Sequence, residues 1–173
     1  MSENILETFL QSITESEIES IGLKFLDKSI GKDYNDRYLQ FVDKDGLFAE
    51  YENPIHYEIL CMARNTPKYG NHEKNKIYIE IHFESNKFSS YFNSTVISLS
   101  ENPDLETFYW RDYCPGLRIK NCTFDIQVIN KNEILQTLKK LKELTIEQLK
   151  NTYTETIKIQ EKYKPGFTLS CGR

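Results

Sequence analysis

Residues 76–83, Lys-Ile-Tyr-Ile-Glu-Ile-His-Phe, alternate without a break. Ile77, Ile79, Ile81 and Phe83 fall on one side of an extended chain, and Tyr78, Glu80 and His82 on the other. A period of two cannot be read as a helix, whose apolar positions recur every three or four residues. The segment therefore predicts a β-strand with one face sealed against a core. Its other face is either wet or covered by something polar.

Further strands follow from the same reading. Residues 37–52 alternate around Asp45-Gly46, which predicts a hairpin. Residues 55–63 form an apolar strand, and residues 107–113 another. A turn is expected at Cys114-Pro115-Gly116, then a strand from Leu117 and a separate one over residues 123–129, with Phe124, Ile126 and Val128 on one side. Phe88, Phe92, Val96 and Leu99 recur at helical spacing and predict a short helix between these groups. The polar stretch 64–75 reads as a loop.

Helices are expected at both ends. Ile5, Leu6, Phe9, Leu10 and Ile13 keep a helical period. Thr14 with Glu17 makes a capping box, and Ile13 with Ile18 a hydrophobic staple. A second helix is expected to run from there through Ile21, Phe25 and Leu26 to Gly31. Near the C-terminus, Asn130 with Glu133 opens one helix and Thr145 with Gln148 a second, ended by Pro165-Gly166. The chain is thus expected to be a single α+β domain over residues 1–173: an N-terminal helical pair (1–31), a mostly antiparallel sheet region with one helix (37–129) and a C-terminal helical pair (130–164), the helices packed on one face.

Composition narrows the class. Among 173 residues, seven are Gly and five Pro, so collagen-like or long low-complexity segments are excluded. No run approaches the ~18 apolar residues of a membrane span, and the N-terminus carries acids where a secretory signal carries lysines. A cytoplasmic protein with no membrane association is expected. Cys61, Cys114, Cys122 and Cys171 form no C-x-x-C pair and read as reduced thiols. The net charge of −4 is uneven: residues 1–110 hold 19 acids against 10 bases, and residues 111–173 hold 7 against 12. The C-terminal lysines are interleaved with acids, so a nucleic-acid face is not favoured.

The patterns that carry chemistry are mostly missing. Neither G-x-G-x-x-G nor G-x-x-x-x-G-K-[ST] occurs. An EF-hand with Gly46 at its sixth position would begin at Phe41, where a carboxylate is required. His56 and Cys61 fall on opposite strand faces, and Cys61 sits among apolar residues, as an inert core thiol does. Two residues after Glu80 stands His82, where the E-x-K of a restriction-type nuclease carries lysine. One metal arrangement survives: His56 with Glu58 and Glu80 with His82 would form a two-histidine, two-carboxylate cluster if their strands were neighbours.

The densest stretch is 107–120, with the sole tryptophan and two of the five arginines. Alternation sends Phe108 and Trp110 to the core and Tyr109, Arg111 and Tyr113 outward, with Arg118 able to join them. Tyrosine and arginine are favoured anchors of protein interfaces. The expected contact surface is therefore an open sheet face made of Tyr78, Glu80, His82, Tyr109, Arg111, Tyr113 and Arg118. The expected function is stoichiometric binding of a protein partner, as in an immunity or inhibitor protein of a bacterial or phage conflict system, with no cofactor. The alternative is a nucleic-acid-processing or metal-dependent enzyme with a dispersed His/Glu/Arg site.

Overall fold

The computed structural model describes residues 2–33, 36–44, 57–63, 72–73, 75–83, 98–111 and 114–162. Two helices, α1 (Ser2–Gln11) and α2 (Glu15–Ser20), precede strands β1 (Leu23–Asp33), β2 (Asp36–Asp43), β3 (Tyr57–Ala63), β4 (Lys76–Phe83), β5 (Leu105–Arg111) and β6 (Cys114–Asp125). A 3-10 turn (Ile126–Val128) leads into the long helix α3 (Lys131–Lys162). The strands form one antiparallel sheet in the order β1-β2-β3-β4-β6-β5. The fold is the expected single α+β domain with helices at both ends.

One face of the sheet is a continuous apolar layer. Across it run Phe41, Ile59 and Ile81 in direct register, then Leu39, Cys61 and Ile79. Leu6 and Leu10 of α1, Ile18 of α2, and Ile134, Leu138, Leu141 and Ile146 of α3 close over the same layer. The spacing of these positions is the helical period, which is why these helices lie down on the sheet. Burial pushes the Cys61 thiol up to about 12, so it is an unreactive part of this layer.

The N-terminal helical pair ends earlier than its sequence suggests. The capping box forms: Thr14 accepts from the Glu17 N–H, and the Glu17 carboxylate accepts from the Thr14 N–H at 2.8 Å. But α2 stops at Ser20, and Gly22 takes a left-handed φ of +78°. Residues 23–33 are strand β1, not helix. Leu23 and Phe25 face inward by alternation, and Phe25 meets Phe41 at 5.1 Å between ring centroids. Cross-strand pairing outweighs a helical spacing that Ile18, Ile21 and Phe25 share by coincidence.

The C-terminal pair is one helix. Thr145 is interior to α3, fully buried, and donates its hydroxyl to the Leu141 carbonyl at 2.6 Å instead of capping a new start. The cap before it does form, with the Asn132 N–H donating to Asn130 Oδ1 at 3.0 Å.

Two further corrections concern β6. Its first residues are strand, not turn: Tyr109 pairs with Pro115 and Phe108 with Gly116. A Cβ at Gly116 would lie 2.6 Å from Phe108 Cζ, so the glycine makes room for the ring. The strand then continues to Asp125, passing an irregularity at Asn121, whose φ is +56°, and residues 126–128 turn as a 3-10 helix. The Asp45-Gly46 hairpin, Pro165-Gly166 and most of the helix expected from Phe88 to Leu99 lie outside the described residues. Among the described residues no helix is long and apolar enough to cross a membrane.

Candidate functional site

The second face of the sheet is closed, and it buries charge. Glu80 is fully buried, His82 is 3% exposed and Arg118 is 8% exposed. The register explains how they meet. Glu80 of β4 lies directly opposite Arg118 of β6, and Arg118 lies directly opposite Glu106 of β5. Charges therefore alternate along a row that crosses three strands, the favourable order for cross-strand neighbours. Alternation along β4 then brings His82 to the same face.

Three side chains make four bonds to two carboxylates. Arg118 Nη1 donates to Glu80 Oε1 at 3.0 Å, and Arg118 Nε donates to Glu106 Oε1 at 2.6 Å. His82 Nε2 bonds Glu80 Oε2 at 2.8 Å. His72, from the segment before β4, brings its Nε2 to Glu80 Oε1 at 2.5 Å. The neighbouring Glu73 N–H donates to the Tyr78 hydroxyl at 2.6 Å and fixes that segment over the strand.

Aromatic rings pack around these groups. The Arg118 guanidinium lies 4.9 Å from the Phe108 ring centroid and 5.1 Å from that of Tyr78, within cation–π range of both. Both histidine rings meet Phe108 edge-on, His82 at 5.8 Å and His72 at 5.9 Å. Gly116 is what lets Phe108 reach them. On the β2–β3 side, Tyr38, Leu60 and Met62 continue the layer with Tyr78.

The electrostatics follow from this geometry. Burial works to raise the Glu80 carboxyl, but the bonds from His72 and His82 outweigh it and hold the group well below the usual carboxylate range. Burial works to lower Arg118, and the Glu106 and Glu80 carboxylates outweigh that too, so its basicity is raised. An ionised carboxylate only accepts, so both histidines present an Nε2–H to Glu80. Both Nε2 atoms are engaged by Glu80. No group of three or more metal-ligating side chains suited to an ion occurs among the described residues. Three donors thus occupy the oxygens of Glu80.

The expected contact face is corrected accordingly. Tyr78, Glu80, His82 and Arg118 come together, but beneath the surface. Tyr109 does not join them. Glu106 and Phe108 share the Glu80 face, so alternation puts Tyr109 on the other side of β5, where it is 60% exposed. Phe108 packs with the charged groups, not with the helix-side core as its spacing suggested. Of Arg111 the backbone alone is described, and Tyr113 lies outside the described residues. β3 and β4 are the neighbours the metal cluster required, with Glu58 in register with His82. His56 and the Glu58 side chain lie outside the described residues.

Sequence reasoning missed His72 and Glu106. Glu106 had a signal, because a turn placed between Arg111 and Cys114 brings it opposite Arg118. His72 had none, standing in a polar stretch far from any alternating pattern. A separate shallow groove of about 310 Å³ lies between β6 and α3, lined by Ile119, Cys122, Phe124, Glu133, Gln136, Thr137 and Lys140. No protein-family model matches the chain, and neither a curated protein nor a solved structure is significantly similar to it.

Proposed function

We propose that the protein acts by stoichiometric binding of a protein partner and that β5 is its contact element. An inhibitor or immunity protein of a bacterial or phage conflict system would work in this way. One observation carries the reading: Tyr109, an interface-type residue, stands 60% exposed on the terminal strand of the sheet. The inner neighbours of Tyr109 make this strand a firm base. Phe108 is held among His72, His82 and Arg118, and Glu106 is held by Arg118. Arg111 ends the same strand, and Tyr113 follows it in sequence.

The test is site-specific photo-cross-linking in the producing cell. A photoreactive residue at position 109 is expected to trap one discrete protein, and the same residue at the exposed Lys139 is not. The purified pair should then titrate at equal stoichiometry, with Tyr109→Ala weakening it about tenfold, equivalent to about 1.4 kcal/mol. No adduct from position 109, or equal adducts from both positions, would overturn the reading.

The convergence of His72, His82 and Arg118 on Glu80 favours a second reading, a metal-dependent or nucleic-acid-processing enzyme. A stoichiometric transition metal in the purified protein, lost in both Glu80→Gln and His82→Ala, would support it.

A further inference from the structure

We propose that the partner of β5 is, in the isolated protein, the β5 strand of a second copy, the two sheets joining about a two-fold axis. The inference rests on the reading of β5 as a contact strand, and it starts from the difference between the two edges of the sheet. β1 is blunted. Its register with β2 shifts twice, between Phe25 and Asp27 and between Asp27 and Gly31, and it carries Lys24, Asp27, Lys28 and Lys32. Asp27 also turns back to accept from the Ser29 N–H at 2.8 Å. Charges and bulges of this kind are how sheets prevent edge-to-edge pairing. β5 has no bulge from Leu105 to Tyr109, where its register with β6 is regular and no lysine or proline interrupts it, and its one charge there, Glu106, is paired with Arg118 of the neighbouring strand.

The phase of the ladder shows which groups face outward. The Lys120 N–H donates to the Asp104 carbonyl at 2.9 Å, so Asp104 and Lys120 form a hydrogen-bonded pair. Such pairs alternate along an antiparallel ladder, so Glu106 with Arg118 and Phe108 with Gly116 are bonded inward. Thr107 and Tyr109 therefore direct N–H and C=O away from β6. Pro115 agrees with this phase, because it lies opposite Tyr109, where the ladder with β5 asks for no N–H. The Leu105 N–H is already given to the Asn102 carbonyl, leaving Leu105 an outward acceptor.

The strand is complementary to itself. Antiparallel pairing centred on Thr107 gives each Thr107 N–H the other's carbonyl and each Tyr109 N–H the other's Leu105 carbonyl. Threonine then faces threonine, and the exposed Tyr109 ring lies against Leu105 and its surroundings, both favourable cross-strand pairs. The charges also agree: Glu101 and Asp104 precede the strand and Arg111 ends it, so reversal sets the acidic start of one copy beside the basic end of the other. An isologous contact of this type is the commonest way that chains form closed dimers.

Sedimentation velocity on the full chain tests the proposal. The mass is expected to rise from monomer to dimer between low and high micromolar concentration. Thr107→Pro removes an outward N–H without touching the β6 ladder, and Tyr109→Lys charges the edge at an exposed position. Both are expected to stay monomeric with unchanged circular dichroism, and Tyr109→Lys alone suffices if the proline variant misfolds. On oxidation Thr107→Cys is expected to link two copies, the paired Cα atoms standing about 5.5 Å apart, while Glu101→Cys is not. A wild-type monomer at every concentration, or dimers that survive Tyr109→Lys, would overturn the proposal. A monomer that still cross-links a different protein from position 109 would sink the two-fold pairing and leave the contact strand standing. A dimer with no adduct to a different protein would keep the two-fold pairing and sink the reading of β5 as the contact for another protein.

Discussion

The two faces of this sheet are built on opposite principles. The helix side buries mainly Ile, Leu and Phe, with Asp43 facing Lys142 as a largely buried exception, and its shortest fastening between helices, Lys131 Nζ to Glu17 Oε1 at 2.8 Å, lies at the surface with side chains about a third exposed. The other side buries its polar groups, with Glu80, His72, His82 and Arg118 all under 10% exposed. Apolar packing is tolerant of which residue meets which, provided volume is kept. A hydrogen-bonded ionic row is not. Sliding β4 by one residue would place Glu80 and His82 among the isoleucines and Ile79 or Ile81 beside His72 and Arg118. The helix side supplies the bulk of the driving force, and the charged side makes one register far cheaper than its neighbours.

The largest expected effect breaks the charged side. Glu80→Ala leaves Arg118 and two histidines without their common acceptor, at a cost of about 3–5 kcal/mol. Ile81→Ala, the next residue but on the apolar side, costs about 2–5 kcal/mol through lost burial and a cavity. The two losses differ in how they are repaired. Adding Arg118→Met to Glu80→Leu should recover part of the loss by removing the orphaned guanidinium, while the two histidines stay without their acceptor. Urea midpoints of the single and double variants measure this. A Glu80→Ala protein within ~1 kcal/mol of wild type would mean that the network holds nothing together.

A smaller effect, with a definite sign, comes from acid. Because the Glu80 carboxyl is held below its ordinary value of 4.5, the folded state binds fewer protons than the unfolded chain. Its contribution is complete above 4.5 and is lost as the pH falls from there toward its lower folded value. Glu17, lowered to about 2 by Lys131 and the Thr14 N–H, acts with the same sign on the helix side. Wild type should therefore lose stability steeply below that point. Glu80→Gln, weaker at neutral pH, should lose less over the same interval. Unfolding midpoints at neutral pH and at about pH 3 separate the two faces, and equal slopes for both proteins would remove Glu80 from the account.

What the sequence showed, and what it hid, divides along the same line. The apolar side was legible because period two on β4 and period 3.6 on α1 and on the first turns of α3 depend only on which residues are oily. The Thr14–Glu17 box was legible because a cap is local. The charged side was not: Tyr78, Glu80 and His82 form the same pattern whether they meet water or one another. Their fate depends on Arg118 and Glu106, which are distant in sequence, and on His72, which no alternating pattern marks, and a turn misplaced at Cys114-Pro115-Gly116 hid Glu106. β1 and the unbroken α3 were misread for a related reason. Residues 23–33 became strand through pairing with β2, and Thr145 bonds the previous turn of its own helix when buried, though the same residue caps when exposed.

The smallest effect concerns the exposed fastening of the helix side. Thr14→Ala removes the oxygen that accepts from the Glu17 N–H at 3.3 Å and frees the Glu17 carboxylate from the threonine hydroxyl. Loss of such a cap costs about 1 kcal/mol. Glu17 would keep Lys131, so the link from α2 to α3 survives while the helix start frays. Because these groups are already wet, nothing is left buried and unpaired, and the loss should stay well under that of Glu80→Ala. Amide exchange should confine the change to α2 and its approach, leaving β4 and β6 protected. A loss as large as that of Glu80→Ala, or one that spreads to β4, would mean that the polar groups on the two sides are not of different kinds.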